Sequence, residues 1–577
     1  MGKRVLIVGG VAGGASVAAR VRRIDESAEV IMFERGPNVS FSNCCLPYHL
    51  SGAVPNSEDL VLMDPVVFKN QYNIEARVLT EVVKINREEK TIDVKELDTG
   101  KVYTEKYDKL FLSPGANPIL PKSIEGIDGP NVFVVRNVVD IDKLNKFVKS
   151  KVKALSNMDV DMAEVNDVAV IGGGFIGVEV AENLKEAGFN VTLVEAMDQI
   201  MAPFDYDMAQ IFHKEMMDHG VNLILNDGLK KIGPESIELN SGKTVKAQAV
   251  VMAIGVRPEV TLAVDAGLEL GETGGILVDH NYLTNDKDIY AVGDAIETFH
   301  KITHQKTRLP LAGPAQRQAR AAADHMYGKP HRNTGVVGSS CVKIFNMNGA
   351  STGLTAKAAE KAGFKYDFVY VIPGDKVGLM PGANPMHFKL VYEVPTGKIL
   401  GAQAIGKGNV DKRIDVIATM VMLGGTLEDL KEMELCYAPP FGTAKDVTNH
   451  AALVALNLLN GDFEQVKVDE VRGLVESNAF IVDVREKREF EAGHLVNAVN
   501  IPLSEIRGRM DEIPRDVPVY LHCRSSQRSY NALMALNNSG YTNAKNISGS
   551  YLGICYFEYF NDQTTDREKI VTKYNFN

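Results

Sequence analysis

Two glycine-rich turns, each set between a short apolar run and an amphipathic stretch, constrain this chain more than any other feature. The first lies in KRVLIVGGVAGGASVAARVRR, residues 3–23, and the second in DVAVIGGGFIGVEVAENL, residues 167–184. Residues 4–9 read as a buried parallel strand, 13–24 as a helix and 29–34 as a second strand. In each case an acid closes the following strand: Glu34 in IMFERG and Glu195 in VTLVEA. A glycine turn after a buried strand lets backbone approach a pyrophosphate, and the helix start behind it supplies N–H donors. The acid at the next strand end suits a ribose hydroxyl pair. In the first turn Gly9 and Gly14 take the outer positions and Val11 stands in the middle; the second has all three glycines, Gly172, Gly174 and Gly177. Two such motifs in one chain imply two bound dinucleotides, most simply a flavin and a nicotinamide.

The 577 residues require several domains. A net charge of −11 disfavours a nucleic-acid partner. No apolar run reaches the length of a membrane span, and VLIVGG reads as a strand running into the turn, not as a signal peptide. Six cysteines in a chain of this length make no disulfide scaffold, and no CxxC pair suggests a zinc site, so no metal is expected. A reducing, cytoplasmic setting suits thiols that must cycle.

Strand signals continue to YDKLFLSPGANP, and the second Rossmann unit starts near 167. TNDKDIYAVGDA, residues 284–295, reads as a strand ending in Gly293-Asp294, where a chain would re-enter the first domain; Asp294 suits the ribitol chain of a long cofactor. A helix is expected from near Pro314. From 335 to 450 the pattern turns to antiparallel strands and helices, and a separate α/β unit begins near 468. The stretch 149–164 reads as an exposed polar excursion.

This order resembles the flavoprotein disulfide reductases with two dinucleotide domains. The resemblance implies an α/β fold: an FAD-binding domain over 1–125 and 275–330, an NAD(P)H-binding domain over 150–274, an α+β dimerisation domain over 335–455 and a C-terminal α/β rhodanese domain over 465–577. FAD is expected on the first turn and NADH on the second. Glu195 should repel a 2′-phosphate, although NADPH stays possible. Phe175 reads as a gate or as packing; Glu179 as a group that orients nicotinamide or as a surface ion pair.

SFSNCCLPYHLSG, residues 40–52, resembles the SFxNCxLPY motif of the coenzyme A disulfide reductase branch. There a single cysteine does the chemistry, and Cys44 occupies its position; sulfur chemistry calls for a thiol whose pKa is lowered by donors or positive potential. Cys45 falls on a variable position and reads as structural. By the same resemblance Ser16, Arg20, Arg23, Ser40, Asn43 and Gln316 take substrate positions for coenzyme A, as substrate or bound ligand. Gln71 stands where the branch often has a cation, and Arg22 is a further nearby cation. ELCYAPPFGTAKDVTNH, residues 434–450, resembles a dimerisation-domain segment in which a tyrosine reaches the partner subunit's active site and a lysine meets coenzyme A; Tyr437 and Lys445 match. The chain therefore reads as a homodimer acting on a small-molecule sulfur substrate. Where the branch often carries Tyr-Tyr-Pro-Gly, this chain has Leu379-Met380-Pro381-Gly382, which predicts a more apolar pocket.

From about 468 to 560 the chain resembles a rhodanese domain. Cys523 sits between a strand and a helix, and the loop of Cys523, Arg524, Ser525, Ser526, Gln527 and Arg528 can present backbone N–H groups to the sulfur, with both arginines adding positive potential. Asp483 and Arg485 read as bracing the fold. Together these features predict an NADH-dependent reductase of coenzyme A persulfides, polysulfides or disulfides, acting through Cys44 with Cys523 as sulfur carrier. The alternatives are an NADH oxidase or peroxidase cycling a Cys44 sulfenic acid, against which Ala12 counts, and a redox-sensing sulfur-carrier protein.

Overall fold

The computed structural model describes residues 2–156 and 167–576. The chain divides into two compact units, Met1–Ala196 with Asp227–Val336, and Met197–Asn226 with Val337–Asn577.

In the first unit the strand Arg4–Val8 lies at the centre of a five-stranded parallel sheet. Its neighbours are Glu29–Phe33 and Lys109–Leu112, flanked by Glu75–Arg77 and by Ile289–Ala291. The last strand comes from beyond the second glycine turn, so the chain does return to its first domain and delivers Asp294 there. Val5, Leu6, Ile7, Ile31 and Leu110 are fully buried, as a parallel sheet covered on both faces requires. The helix Ala12–Ile24 packs on this sheet and against the helix Ala312–Met326. That second helix begins two residues ahead of Pro314, because first-turn N–H groups have no helical partner and a proline there loses nothing.

A second parallel layer places Asp167–Ile171 between Asn190–Val194 and Ala249–Met252, with Val132–Phe133 beyond the latter. The helix Val138–Ser156 runs into the stretch read from sequence as an exposed polar excursion; the remainder of that stretch lies outside the described residues.

The second unit holds an antiparallel five-stranded sheet in the order Ser340–Ile344, Met347–Gly353, Ile399–Gly406, Met386–Glu393, Tyr366–Val371. The segment 197–226, inside the stretch assigned by sequence to the nicotinamide domain, belongs to this unit. It contributes Asp205 and Asp207, which hold the buried Lys389 Nζ at 3.1 and 2.8 Å. The C-terminal part carries a parallel sheet ordered Gln465–Val466, Ala544–Ile547, Val519–His522, Phe480–Asp483, Val499–Asn500. One of its cores buries Leu495, Tyr551, Cys555, Ile570 and Val571 together. Residues 568–576 close over that core. Val571 bridges to Leu495, the Tyr551 hydroxyl donates to Lys573 O at 2.6 Å, and Arg472 and Arg567 pair with the buried Glu558 and Asp562. Among the described residues, no helix is long and apolar enough to cross a membrane.

Candidate active site

The two glycine turns are near copies. A Cβ on Gly14 would stand 1.8 Å from Gly9 O, and a Cβ on Gly177 1.8 Å from Gly172 O, so only glycine lets each helix start this close to its strand. The acids sit at matching points: Gly10 N–H donates to Glu34 Oε2 at 3.0 Å and Gly173 N–H to Glu195 Oε2 at 2.7 Å. Gly174, the middle glycine of the second turn, has open space where its Cβ would be, room for a ligand to press against backbone.

One cavity of about 770 Å³ in the first unit gathers most of the residues singled out from sequence. Gly9, Ser16, Arg20, Arg23, Glu34, Ser40, Asn43, Cys44, Asp294 and Gln316 all line it. A glycine turn, a strand-end acid and a second acid lining one cavity fit an extended flavin dinucleotide. Asp294 is held above the usual carboxylate range by burial, opposed by the Arg136 guanidinium. Sequence reasoning missed Arg136. It also lines the cavity, its Nε donates to Ala116 O at 2.6 Å, and Asn43 Nδ2 donates to its carbonyl at 3.3 Å. No local motif surrounds it to give it away.

Several expectations change here. Arg22 is not a ligand cation. It is buried and donates to the carbonyls of Tyr72, Asp25, Glu26, Ala28 and Asn73 at 2.7–3.1 Å. Arg20 lines the cavity but is paired with Asp324, its Nε donating at 2.7 Å. Arg23 is exposed at the rim. Gln71 lies exposed on the helix Pro65–Tyr72 and does not line the cavity.

Cys44 sits in a single helical turn, Asn43–Cys45, followed by the helix Tyr48–Ser51. Its thiol opens to the cavity, yet its pKa is raised, not lowered as expected. Desolvation on its protein side leads, followed by the charges of Glu179, Cys45 and Asp294. The residues around Cys44 therefore resist ionisation. Glu179, read as either a nicotinamide contact or a surface ion pair, makes no ion pair among the described residues. Burial, then Glu182, pushes it up to about 7. The two elements are linked: Ser51 Oγ donates to Asn183 Oδ1 at 2.6 Å, and Asn183 Nδ2 donates to Glu179 O at 2.8 Å.

In the second unit Tyr437 is 49% exposed and Lys445 is exposed. Leu379 is 93% exposed, on a loop tied to the segment beyond Tyr437. Val377 N–H donates to Gly442 O at 3.2 Å, and Arg413 Nη2 donates to the carbonyls of Asp375 and Phe441 at 3.2 Å. This face carries exposed apolar side chains, Phe441 among them.

Cys523 is 1% exposed, at the end of the strand Val519–His522. Its N–H donates to Ser550 Oγ at 3.2 Å, and Ser529 Oγ stands 3.7 Å from its sulfur. Ser526 holds a left-handed conformation, φ 75°, just ahead of the helix Gln527–Asn538; Ser525 and Gln527 flank it in the loop. Asp483 and Arg485 form a buried pair beneath, Nε to Oδ1 at 2.9 Å. The positive potential expected of Arg528 is largely cancelled by its bidentate contact with Glu489 at 2.6 and 2.8 Å.

The sequence matches the family described as pyridine nucleotide-disulphide oxidoreductase over residues 3–319, its dimerisation domain over 339–447 and the rhodanese-like domain over 467–555. It is similar to the coenzyme A disulfide reductase of Staphylococcus epidermidis, 32% identical over 447 residues that cover 77% of this chain and 98% of the relative. Among solved structures it is similar to reduced CoADR-RHD of Bacillus anthracis, with 41% identity, TM-score 0.91, 97% of this chain and 99% of that one covered. It is also similar to an NAD-dependent persulfide reductase from A. fulgidus, with 32% identity, TM-score 0.89 and coverage of 96% and 99%. A water-forming NADH oxidase from Lactobacillus brevis aligns at 26% identity and TM-score 0.74, over 80% of this chain and 99% of its own.

Proposed function

The chain belongs to the pyridine nucleotide-disulphide oxidoreductase family, and from that premise we propose that it uses NADH to reduce persulfide, polysulfide or disulfide derivatives of coenzyme A at Cys44, with Cys523 as a sulfane-sulfur carrier. The family uses FAD and NAD(P)H, and its dimerisation domain supports a homodimer. One observation carries the reading: a single cavity joins the first glycine turn, Glu34 and Asp294 to Cys44 and to the cationic rim at Arg23.

Gly9, Gly14, Glu34 and Asp294 would hold FAD; Gly172, Gly174, Gly177 and Glu195 would hold NADH. Bound FAD supplies the electron pair, taken from NADH, that reopens a disulfide at Cys44. Arg23, Ser16, Ser40, Asn43 and Gln316 orient the coenzyme A end of the acceptor, and Lys445 adds a cation from the partner subunit. The Cys44 thiolate attacks the inner sulfur of a coenzyme A persulfide. A Cys44–coenzyme A disulfide forms, the persulfide S–S bond breaks and hydrosulfide leaves. Two electrons then return the Cys44 thiolate and coenzyme A thiolate. Glu179, with a pKa near 7, can hold a proton beside this sulfur, and Tyr437 of the partner subunit can donate one to the departing thiolate. The exposed Leu379, where a tyrosine is common in similar chains, favours a compact sulfur leaving group over a second coenzyme A.

The test is an acceptor panel with purified, yellow holoenzyme and NADH. Coenzyme A persulfide should support turnover and sulfide release well above molecular oxygen or peroxide, and Cys44→Ser should abolish both while retaining flavin. Full sulfide release by Cys44→Ser would sink the reading. Faster NADH oxidation by oxygen would move the assignment to an oxidase.

A further inference from the structure

The loop Cys523–Arg528 carries two arginines, and their surroundings decide which anion it can accept. Arg528 is committed to Glu489 by two parallel hydrogen bonds, Nη1 to Oε2 at 2.6 Å and Nη2 to Oε1 at 2.8 Å. Such a fork-to-carboxylate pair carries no net charge, although Arg528 stays within electrostatic reach of the Cys523 sulfur. Arg485 is likewise taken up by the buried Asp483. Arg524 makes no ion pair among the described residues and stands half-buried, with Cys555, Arg485, Glu489 and Tyr556 in its electrostatic surroundings. The other side chains of the loop are neutral, and the hydroxyl nearest the sulfur belongs to Ser529, at 3.7 Å. Counted together, Arg524, Arg528 and Glu489 leave the loop one net positive charge.

An organic persulfide, R–S–S⁻, brings one negative charge. Thiosulfate brings two, concentrated on a small oxyanion. A second charge brought into this loop would lose hydration without a counter-ion, and an uncompensated charge taken out of water is costly. We propose that Cys523 takes sulfane sulfur from monoanionic organic persulfides in preference to thiosulfate, because Glu489 neutralises Arg528. The inference rests on the reading of Cys523 as a sulfur carrier and adds its donor class.

The transfer needs no oxidant or reductant. The bound R–S–S⁻ takes the Cys523 proton, and the Cys523 thiolate so formed attacks the terminal sulfur of R–S–SH. The donor S–S bond breaks, a Cys523 S–S bond forms, R–S⁻ leaves, and the proton stays on the transferred sulfur. Once that proton is lost, cyanide removes the outer sulfur as thiocyanate and restores the thiolate.

The experiment measures thiocyanate formation by the full-length holoenzyme from mercaptoethanol persulfide and from thiosulfate, with Cys523→Ser as the blank. In the natural protein kcat/KM for the persulfide should exceed that for thiosulfate by about tenfold or more, the scale of one lost charge-assisted contact. Glu489→Gln frees Arg528 and should raise the thiosulfate-to-persulfide ratio by about tenfold. A natural protein that uses thiosulfate as well as the persulfide overturns the proposal and leaves the sulfur-carrier reading standing. Transfer from neither donor overturns both. A folded Glu489→Gln protein with an unmoved ratio overturns the role of Glu489. Should that variant not fold, the donor preference of the natural protein still decides.

Discussion

Arg20, Arg22 and Arg23 lie within one turn of one helix, and the structure gives Arg22 and Arg23 opposite roles that one pair of variants separates. All five N–H donors of Arg22 end on backbone carbonyls from two segments, 25–28 and 72–73, at 2.7–3.1 Å, in a side chain 6% exposed. Arg22→Met keeps the apolar stem and removes every donor. Each buried acceptor left unpaired costs about 1–3 kcal/mol, and with water reaching part of the gap the loss is about 3–5 kcal/mol. For a unit of this size that is roughly 5–8 °C in melting temperature. The fluorescence of released flavin on heating reads it directly. Arg23→Gln, at the exposed cavity rim, should melt within about 1 °C of the natural protein. It should instead raise KM for coenzyme A-bearing acceptors about tenfold with kcat nearly kept, the pattern of lost uniform binding. A shift below about 2 °C for Arg22→Met would show that water satisfies those carbonyls. An unchanged KM for Arg23→Gln would remove Arg23 from the substrate site.

The ionisation of Glu179 gives a pH test. Its folded value of about 7 stands above the ordinary 4.5, so the group is largely neutral near pH 6 and ionised near pH 8, where its charge opposes the Cys44 thiolate. Glu179→Gln should therefore speed alkylation of the Cys44 peptide by iodoacetamide at about pH 8 and leave it unchanged at about pH 6; equal rates at both would refute the coupling. Lys389→Met strands Asp205 and Asp207 in the interior and should destabilise the second unit by about 3–5 kcal/mol, seen as an earlier urea transition. Adding Asp205→Asn and Asp207→Asn should recover part of that loss, and a triple variant no better than Lys389→Met would refute the pairing argument.

The features legible in the sequence are those whose cause is local. A strand, a glycine turn and a helix start are contiguous, so both dinucleotide motifs and the helix carrying Arg20 and Arg23 could be placed by pattern alone. The return of Ile289–Ala291 to the first sheet was legible because its closing Gly-Asp is itself a short motif. What stayed hidden depends on partners far along the chain. Nothing near Arg22 announces that Tyr72 and Asn73 will need its donors. Arg136 reaches Asp294 from a stretch without a motif, and Glu179 comes beside Cys44 through Asn183 and Ser51. The sign of the Cys44 shift could not be read at all, because the burial that leads it and the charges of Glu179 and Asp294 come from segments far along the chain. Arg528 read as an available cation because its counter-charge, Glu489, lies on a different element.

Residues 568–576 bear on how the C-terminal domain can be handled. The rhodanese-like match stops at 555, inside the helix Ser550–Thr564, while Ile570 and Val571 fill the core beside Tyr551 and Cys555. A fragment trimmed to the matched boundary would cut that helix short, open an apolar floor to water and discard both Arg567 and the acids it neutralises. Excision should therefore keep everything through Phe576, and a purification handle is better fused at the opposite end.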